Sequence, residues 1–89
     1  REKYLRDFVV RYDLVFFVSG KKSSNGKALY KICRQINENT HFISNPEESD
    51  MIDLAGIETI GICGATSTPD WLLSAVKKRL QKRMNITET

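Results

Sequence analysis

The sequence predicts an α/β domain, a three-layer open sheet of mainly parallel strands with helices on both faces. Three observations lead there. Leu14–Val18 is apolar at every position, as strands buried on both faces are. Helix-periodic segments alternate with short strand-like runs, the pattern of parallel sheets. Loops rich in glycine and hydroxyl side chains, Gly20–Gly26 and Gly64–Asp70, join strands to the helices that follow.

The elements follow in order. Glu2 to Tyr12 reads as an amphipathic helix, because Leu5, Phe8, Val9 and Tyr12 recur at helical spacing. Leu14–Val18 is the first strand. A second helix runs from about Ser24 to Ile36, with Ala28, Leu29, Ile32, Cys33 and Ile36 as its apolar stripe. Ser23 or Ser24 suits its N-cap. His41–Ile43 is a short second strand, broken by Asn45-Pro46. The acidic stretch Pro46–Gly56 reads as a loop with one helical turn carrying Met51, Ile52 and Leu54. Thr59–Cys63 is the third strand. Thr68 can cap the last helix, Pro69 suits its first position and Asp70 favours the positive end of its dipole. That helix runs to about Met84, buries Leu72, Ala75, Val76, Leu80 and Met84, and is anchored by Trp71. Asn85–Thr89 reads as a frayed tail.

A doubly wound layout implies the strand order 2-1-3. Strands one and three are then neighbours, with their following helices on opposite faces. The two loops meet at the carboxyl ends of those strands, where such sheets bind ligands. The weak point is the link from strand two to strand three, close to the minimum of about a dozen residues for a crossover.

Composition bounds the rest. The chain has 89 residues, 40% hydrophobic and 28% charged, with a net charge of +3. That fits a single globular domain spanning 1–89. The charge permits an anionic ligand without demanding nucleic acid, and no aromatic interleaving supports base stacking. No apolar stretch reaches the length of a membrane span. There is no signal peptide and no initiating methionine, which suggests a piece of a longer, cytoplasmic protein. Cys33 and Cys63 are far apart in sequence and form no CxxC or zinc pattern.

The loops carry the chemistry. Amides at a helix start are unpaired and bear a partial positive charge. A phosphate there gains hydrogen bonds and favourable electrostatics together. Ser23, Ser24, Asn25 and Ser67 would donate to its oxygens, and Lys21 and Lys22 would raise the local potential. The same residue types also make ordinary turns and caps. Elsewhere the signals are bland. His41 has no neighbouring acid or base. Cys33 reads as core and Cys63 as a small buried residue at a strand end. The basic face of the last helix reads as solvated. No Ser-His-Asp arrangement, trustworthy carboxylate pair or Walker motif is present.

At the two loops the chain resembles a known family. Ser19-Gly20-Lys21-Lys22-Ser23-Ser24-Asn25 after an apolar strand, and Ile60 to Trp71 before the last helix, are similar to the C-terminal third of the 4-hydroxy-3-methylbut-2-enyl diphosphate reductases, the LytB or penicillin-tolerance family. The similarity runs from about Asp13 to Leu80. It implies a three-domain enzyme around a 4Fe–4S cluster. The enzyme catalyses the last step of non-mevalonate isoprenoid synthesis, reductive removal of an allylic hydroxyl, with electrons from a donor protein. It implies that Ser23, Ser24, Asn25 and Ser67 hold the substrate diphosphate. Where the family usually has Thr-Ala-Gly-Ala-Ser, this chain has Cys63-Gly64-Ala65-Thr66-Ser67, so only Ser67 carries over. The family's cluster cysteines, histidines and proton-donating glutamate lie upstream, in other domains of the same polypeptide. This segment alone is expected to be inactive. The competing reading is an autonomous module for a phosphorylated metabolite or RNA.

Overall fold

β1 (Leu14–Val18) is the middle strand, and all of its residues are buried. A computed structural model of the protein describes residues 2–84. β1 pairs in parallel with β2 (Thr40–Ile43) on one side and β3 (Ile60–Gly64) on the other. The sheet order is therefore β2-β1-β3, as the alternation of elements predicts.

Successive side chains on a strand point to opposite faces, so β1 contributes to two cores. Val15 and Phe17 pack with Leu5, Val9, Cys33 and Cys63 under α1 (Glu2–Val9) and α2 (Ser24–Ile36). Leu14, Phe16 and Val18 pack with Ile43, Val76 and Leu80 under α3 (Asp70–Met84). Burying a Val, Leu or Phe side chain contributes about 1.5–3 kcal/mol, so this one strand supplies a large share of the apolar gain.

Several local readings are corrected. α1 stops at Val9, short of Tyr12. Its last turn tightens, with the Arg11 amide donating to the Phe8 carbonyl. Asn37 then claims the exit, its Nδ2 donating to the Val9 and Tyr12 carbonyls at 2.8 and 2.9 Å. On α2, Ala28 is exposed and Tyr30 is half-buried, its ring 5.4 Å from Phe42 and 6.3 Å from Phe17. A long ring reaches the sheet where a methyl cannot. Trp71 is 70% exposed and anchors nothing. Leu72, Val76 and Leu80 recur every four residues and set the buried face of α3. Trp71 lies about 100° around the helix from Leu72. The tail Asn85–Thr89 lies outside the described residues.

The link from β2 to β3, residues 44–59, is longer than the near-minimal crossover expected and closes without an α-helix. A 3-10 helix, Pro46–Met51, begins at an Asn45 cap whose side chain accepts from the Glu48 amide at 3.0 Å. Met51 stays exposed, while Ile52, Leu54 and Ile57 pack against the α3-side core. The basic face of α3 clamps this link instead of being merely solvated. Arg79 makes two hydrogen bonds to Asp50, at 3.0 and 2.6 Å. Arg83 donates to the Ser49 and Ile52 carbonyls at 2.8 and 3.0 Å.

Two contacts carry testable consequences. Asn37 also accepts from the Asn39 amide at 3.0 Å, so one side chain joins α1, α2 and the start of β2. Asn37→Ala should cost about 2 kcal/mol or more, since it strands polar groups that lose their partners. At the other end, a Cβ on Gly64 would lie 2.5 Å from the Val18 carbonyl oxygen. Backbone cannot yield as a flexible side chain does, so Gly64→Ala should destabilise by about 1–3 kcal/mol. Urea unfolding checks both, and an unchanged midpoint would contradict the corresponding account.

Candidate functional site

The two hydroxyl-rich loops leave neighbouring strands at the same end of the sheet. Val18 closes β1 directly opposite Gly64, the last residue of β3. The loop after β3 is tied to β1 by a side chain: Thr68 Oγ1 donates to the Val18 carbonyl at 2.7 Å. This replaces the capping role that the sequence suggests for Thr68. The Thr68 amide donates to the Ala65 carbonyl at 2.9 Å and closes a turn. Thr66 and Ser67 stand exposed at its tip.

The loop after β1 opens α2. Ser23 is the N-cap, its Oγ accepting from the Gly26 amide at 3.0 Å. A hydroxyl that accepts still has its own proton to donate, so Ser23 can cap the helix and bind an anion at once. Ser24 and Asn25 occupy the first turn and are exposed. Their amides have no acceptor within the helix. Exposed donors and a positive helix end thus face one place.

Beneath that first turn lies a residue that sequence reasoning missed. Ser19 is 1% exposed, and its Oγ has no hydrogen-bond partner. A Cβ on Gly26 would come within 3.0 Å of the Ser19 side chain, so only glycine lets α2 settle there. Ser44 Oγ, just past the end of β2, is likewise buried without a partner. The available signal was positional: each serine directly follows an apolar strand and faces the loop end of the sheet.

Charge at the rim is mixed. Lys21 and Lys22 are exposed. Lys21 Nζ lies 3.5 Å from Glu48 Oε2, an exposed ion pair worth at most about 1 kcal/mol. Glu48 is held mainly by the Ser44 amide, which donates to its other oxygen. That bond, with Lys21 beside it, keeps the Glu48 carboxyl below its ordinary range. The acidic link therefore sends one fixed carboxylate to the loop end, which its sequence gave no reason to expect.

The remaining candidates lie elsewhere. His41 sits opposite Phe16 in the middle of β1, its Nε2 at 2.9 Å from Asn39 Oδ1. Burial pushes its pKa down, with Arg34 adding to the effect. Cys33 and Cys63 are both buried in the core under α2. Among the described residues no group of three His, Cys, Asp or Glu side chains converges as a metal site. These residues do not fit an iron–sulfur cluster, which requires several thiolates facing one cavity. No described helix is long and apolar enough to cross a membrane.

Comparison with known proteins now bears on this geometry. The profile of the family described as LytB protein matches residues 1–81. A 4-hydroxy-3-methylbut-2-enyl diphosphate reductase of Bacteroides thetaiotaomicron is 51% identical over 77 residues, covering 86% of this chain and 27% of the relative. The reductase of Chlorobium phaeobacteroides is 48% identical over 90 residues, covering 96% of this chain and 27% of the relative. A solved structure of (E)-4-hydroxy-3-methyl-but-2-enyl diphosphate reductase, the terminal enzyme of the non-mevalonate pathway, superposes with a TM-score of 0.84. It is 32% identical and covers 92% of this chain and 29% of that one. The chain thus spans under a third of the length of these relatives. With most of its residues matched by the family profile and half of them shared with a named reductase, the chain belongs to the LytB protein family.

Proposed function

We propose that this chain is the diphosphate-binding, C-terminal third of an iron–sulfur 4-hydroxy-3-methylbut-2-enyl diphosphate reductase. The observation that carries the reading is that the two donor-rich loops leave paired strands at the same end of the sheet, where Thr68 ties the second loop to the end of β1. Ser23, Ser24 and Asn25 from the first loop and Ser67 from the second donate to the diphosphate oxygens. The Ser24 and Asn25 amides add the field of α2, and Lys22 adds positive charge at the rim beside the Lys21–Glu48 pair. Hydrogen bonds to charged groups contribute about 1.5–3 kcal/mol each. Several converging on one diphosphate therefore account for strong retention of the substrate's tail.

The reductive chemistry belongs to the rest of the polypeptide. Removing an allylic hydroxyl needs electrons, and the cluster that delivers them takes its ligands outside this chain. Cys33 and Cys63 are packed away from the loops' donors and cannot serve as its ligands. The upstream domains of the same polypeptide and a cytoplasmic electron-donor protein complete the assembly. The fragment's coverage of 27% to 29% of each relative supports this division over an autonomous module.

Two outcomes follow. In the full-length polypeptide carrying this segment, Asn25→Ala should weaken substrate binding or turnover about tenfold or more, the equivalent of one charge-assisted hydrogen bond. Steady-state kinetics with the diphosphate substrate measure it, and wild-type parameters would reject the assignment of Asn25. Residues 1–89 alone, put through cluster reconstitution, should show no reductase turnover. Robust activity from them would overturn the division of labour.

A further inference from the structure

Ser19 is the last residue before the loop that opens α2, and the backbone around it is fixed. Its amide donates to the Ile43 carbonyl at 3.0 Å, and the Ser23 amide donates to the Gly20 carbonyl at 3.1 Å, closing a turn directly after it. The Ser19 side chain is 1% exposed, and its hydroxyl has no hydrogen-bond partner. A β-carbon on Gly26 would meet Ser19 Oγ first and Ser23 Oγ at 3.1 Å, so both hydroxyls crowd one side of that glycine. A buried hydroxyl without a partner is destabilising. Alanine would fill the same space without that penalty, so packing alone does not explain a serine here.

Ser23 is the N-cap beside it, its Oγ accepting from the Gly26 amide at 3.0 Å. A hydroxyl has two acceptor positions and one proton. When Ser23 gives its proton to an anion, one acceptor position on its oxygen is still open. Ser19 holds a buried proton with no acceptor.

Taking the function proposed above as its basis, we propose that Ser19 is a positioning residue for the diphosphate, its hydroxyl donating to Ser23 Oγ when Ser23 turns its own proton to the anion. The movement is a rotation of a short side chain between staggered positions, and the backbone stays where its hydrogen bonds hold it. Ser23 Oγ then accepts from Gly26 and from Ser19 and donates to the anion. A hydroxyl that accepts twice donates more strongly, because hydrogen bonds in a chain polarise one another. Ser19 touches no substrate and acts through Ser23. Its proton is satisfied only in the bound state, so binding relieves a defect of the free protein.

The test uses the full-length polypeptide carrying this segment. Binding of inorganic pyrophosphate is measured by titration calorimetry for Ser19→Ala, Ser23→Ala, Ser24→Ala and the two double variants that contain Ser19→Ala, and thermal unfolding is followed for each. Ser19→Ala should weaken pyrophosphate binding about three- to tenfold, the range of one neutral hydrogen bond, yet unfold at an equal or higher temperature without ligand. With the diphosphate substrate, KM should rise by a similar factor while kcat holds, the mark of binding lost equally from ground and transition states. Added to Ser23→Ala, Ser19→Ala should change nothing further. Added to Ser24→Ala, it should keep its full effect, since only residues that share a contact depart from additivity. A lower unfolding temperature for Ser19→Ala would reveal an ordinary structural hydrogen bond and overturn the proposal. So would unchanged affinity, or full additivity with Ser23→Ala. Unchanged pyrophosphate binding in Ser23→Ala itself would sink the anion-site reading. Weaker binding there, with none lost in Ser19→Ala, would reject the role of Ser19 alone.

Discussion

Phe16 and Phe17 are adjacent, fully buried, and point to opposite faces of β1. That constraint organises the molecule. A strand that must be dry on both sides needs a layer over each face and a neighbour on each edge. α1 and α2 supply one layer, α3 with Ile52, Leu54 and Ile57 supplies the other, and β2 and β3 fill the edges. A small domain buries only a modest part of its surface, so concentrating large side chains on one central strand is an economical way to make a core. It also settles the topology. Once β1 is central, its two parallel neighbours must arrive by crossovers, and the loops of β1 and β3 necessarily share one end.

The two ends of the sheet are treated differently. At the amino ends, polar groups satisfy one another. Asp13 Oδ2 accepts from the Glu58 and Thr59 amides, Thr59 Oγ1 accepts from the Asp13 amide, and Asn39 Nδ2 donates to the Asp13 carbonyl. Asn37 closes the set against α1. At the carboxyl ends, donors are left over. Ser19 and Ser44 keep buried hydroxyls with no partner, and the first amides of α2 have no acceptor inside the helix. Buried polar groups are ordinarily paired. Donors gathered at one end, beside a helix start, are the observation on which the proposed anion site rests.

This contrast explains how much the sequence could tell. The strand order was legible because Leu14–Val18 is uniformly apolar and because element alternation allows few topologies. That the loops carrying Ser23, Ser24, Asn25 and Ser67 leave the sheet at one end was legible because loop position follows from that order. What was not legible depends on distances between residues remote in sequence. Thr68 looks like a helix cap until the Val18 carbonyl is seen 2.7 Å away. Trp71 looks like an anchor by size, but its angle on α3 points it to solvent. Arg79 and Arg83 look like a solvated charge run until the 3-10 link arrives beneath them. That Cys33 and Cys63 share one core has no sequence signal, since thirty positions separate them.

The chemistry of the donors limits what this end of the molecule does. Ser23, Ser24, Asn25 and Ser67 are neutral hydroxyls and an amide, with no charge to gain or lose near neutral pH. Such groups orient and retain an anion, and they keep doing so while charge changes elsewhere on the bound molecule. They do not accept electrons. Lys21 and Glu48 at the rim are engaged with each other at 3.5 Å. A site built from donors whose protonation stays fixed suits a tether better than a reacting centre. Under the proposed function, its task is to hold a diphosphate still while redox chemistry proceeds elsewhere. The proposed division between a grip local to two loops and a reaction carried out elsewhere fits a chain that covers less than a third of its relatives' length.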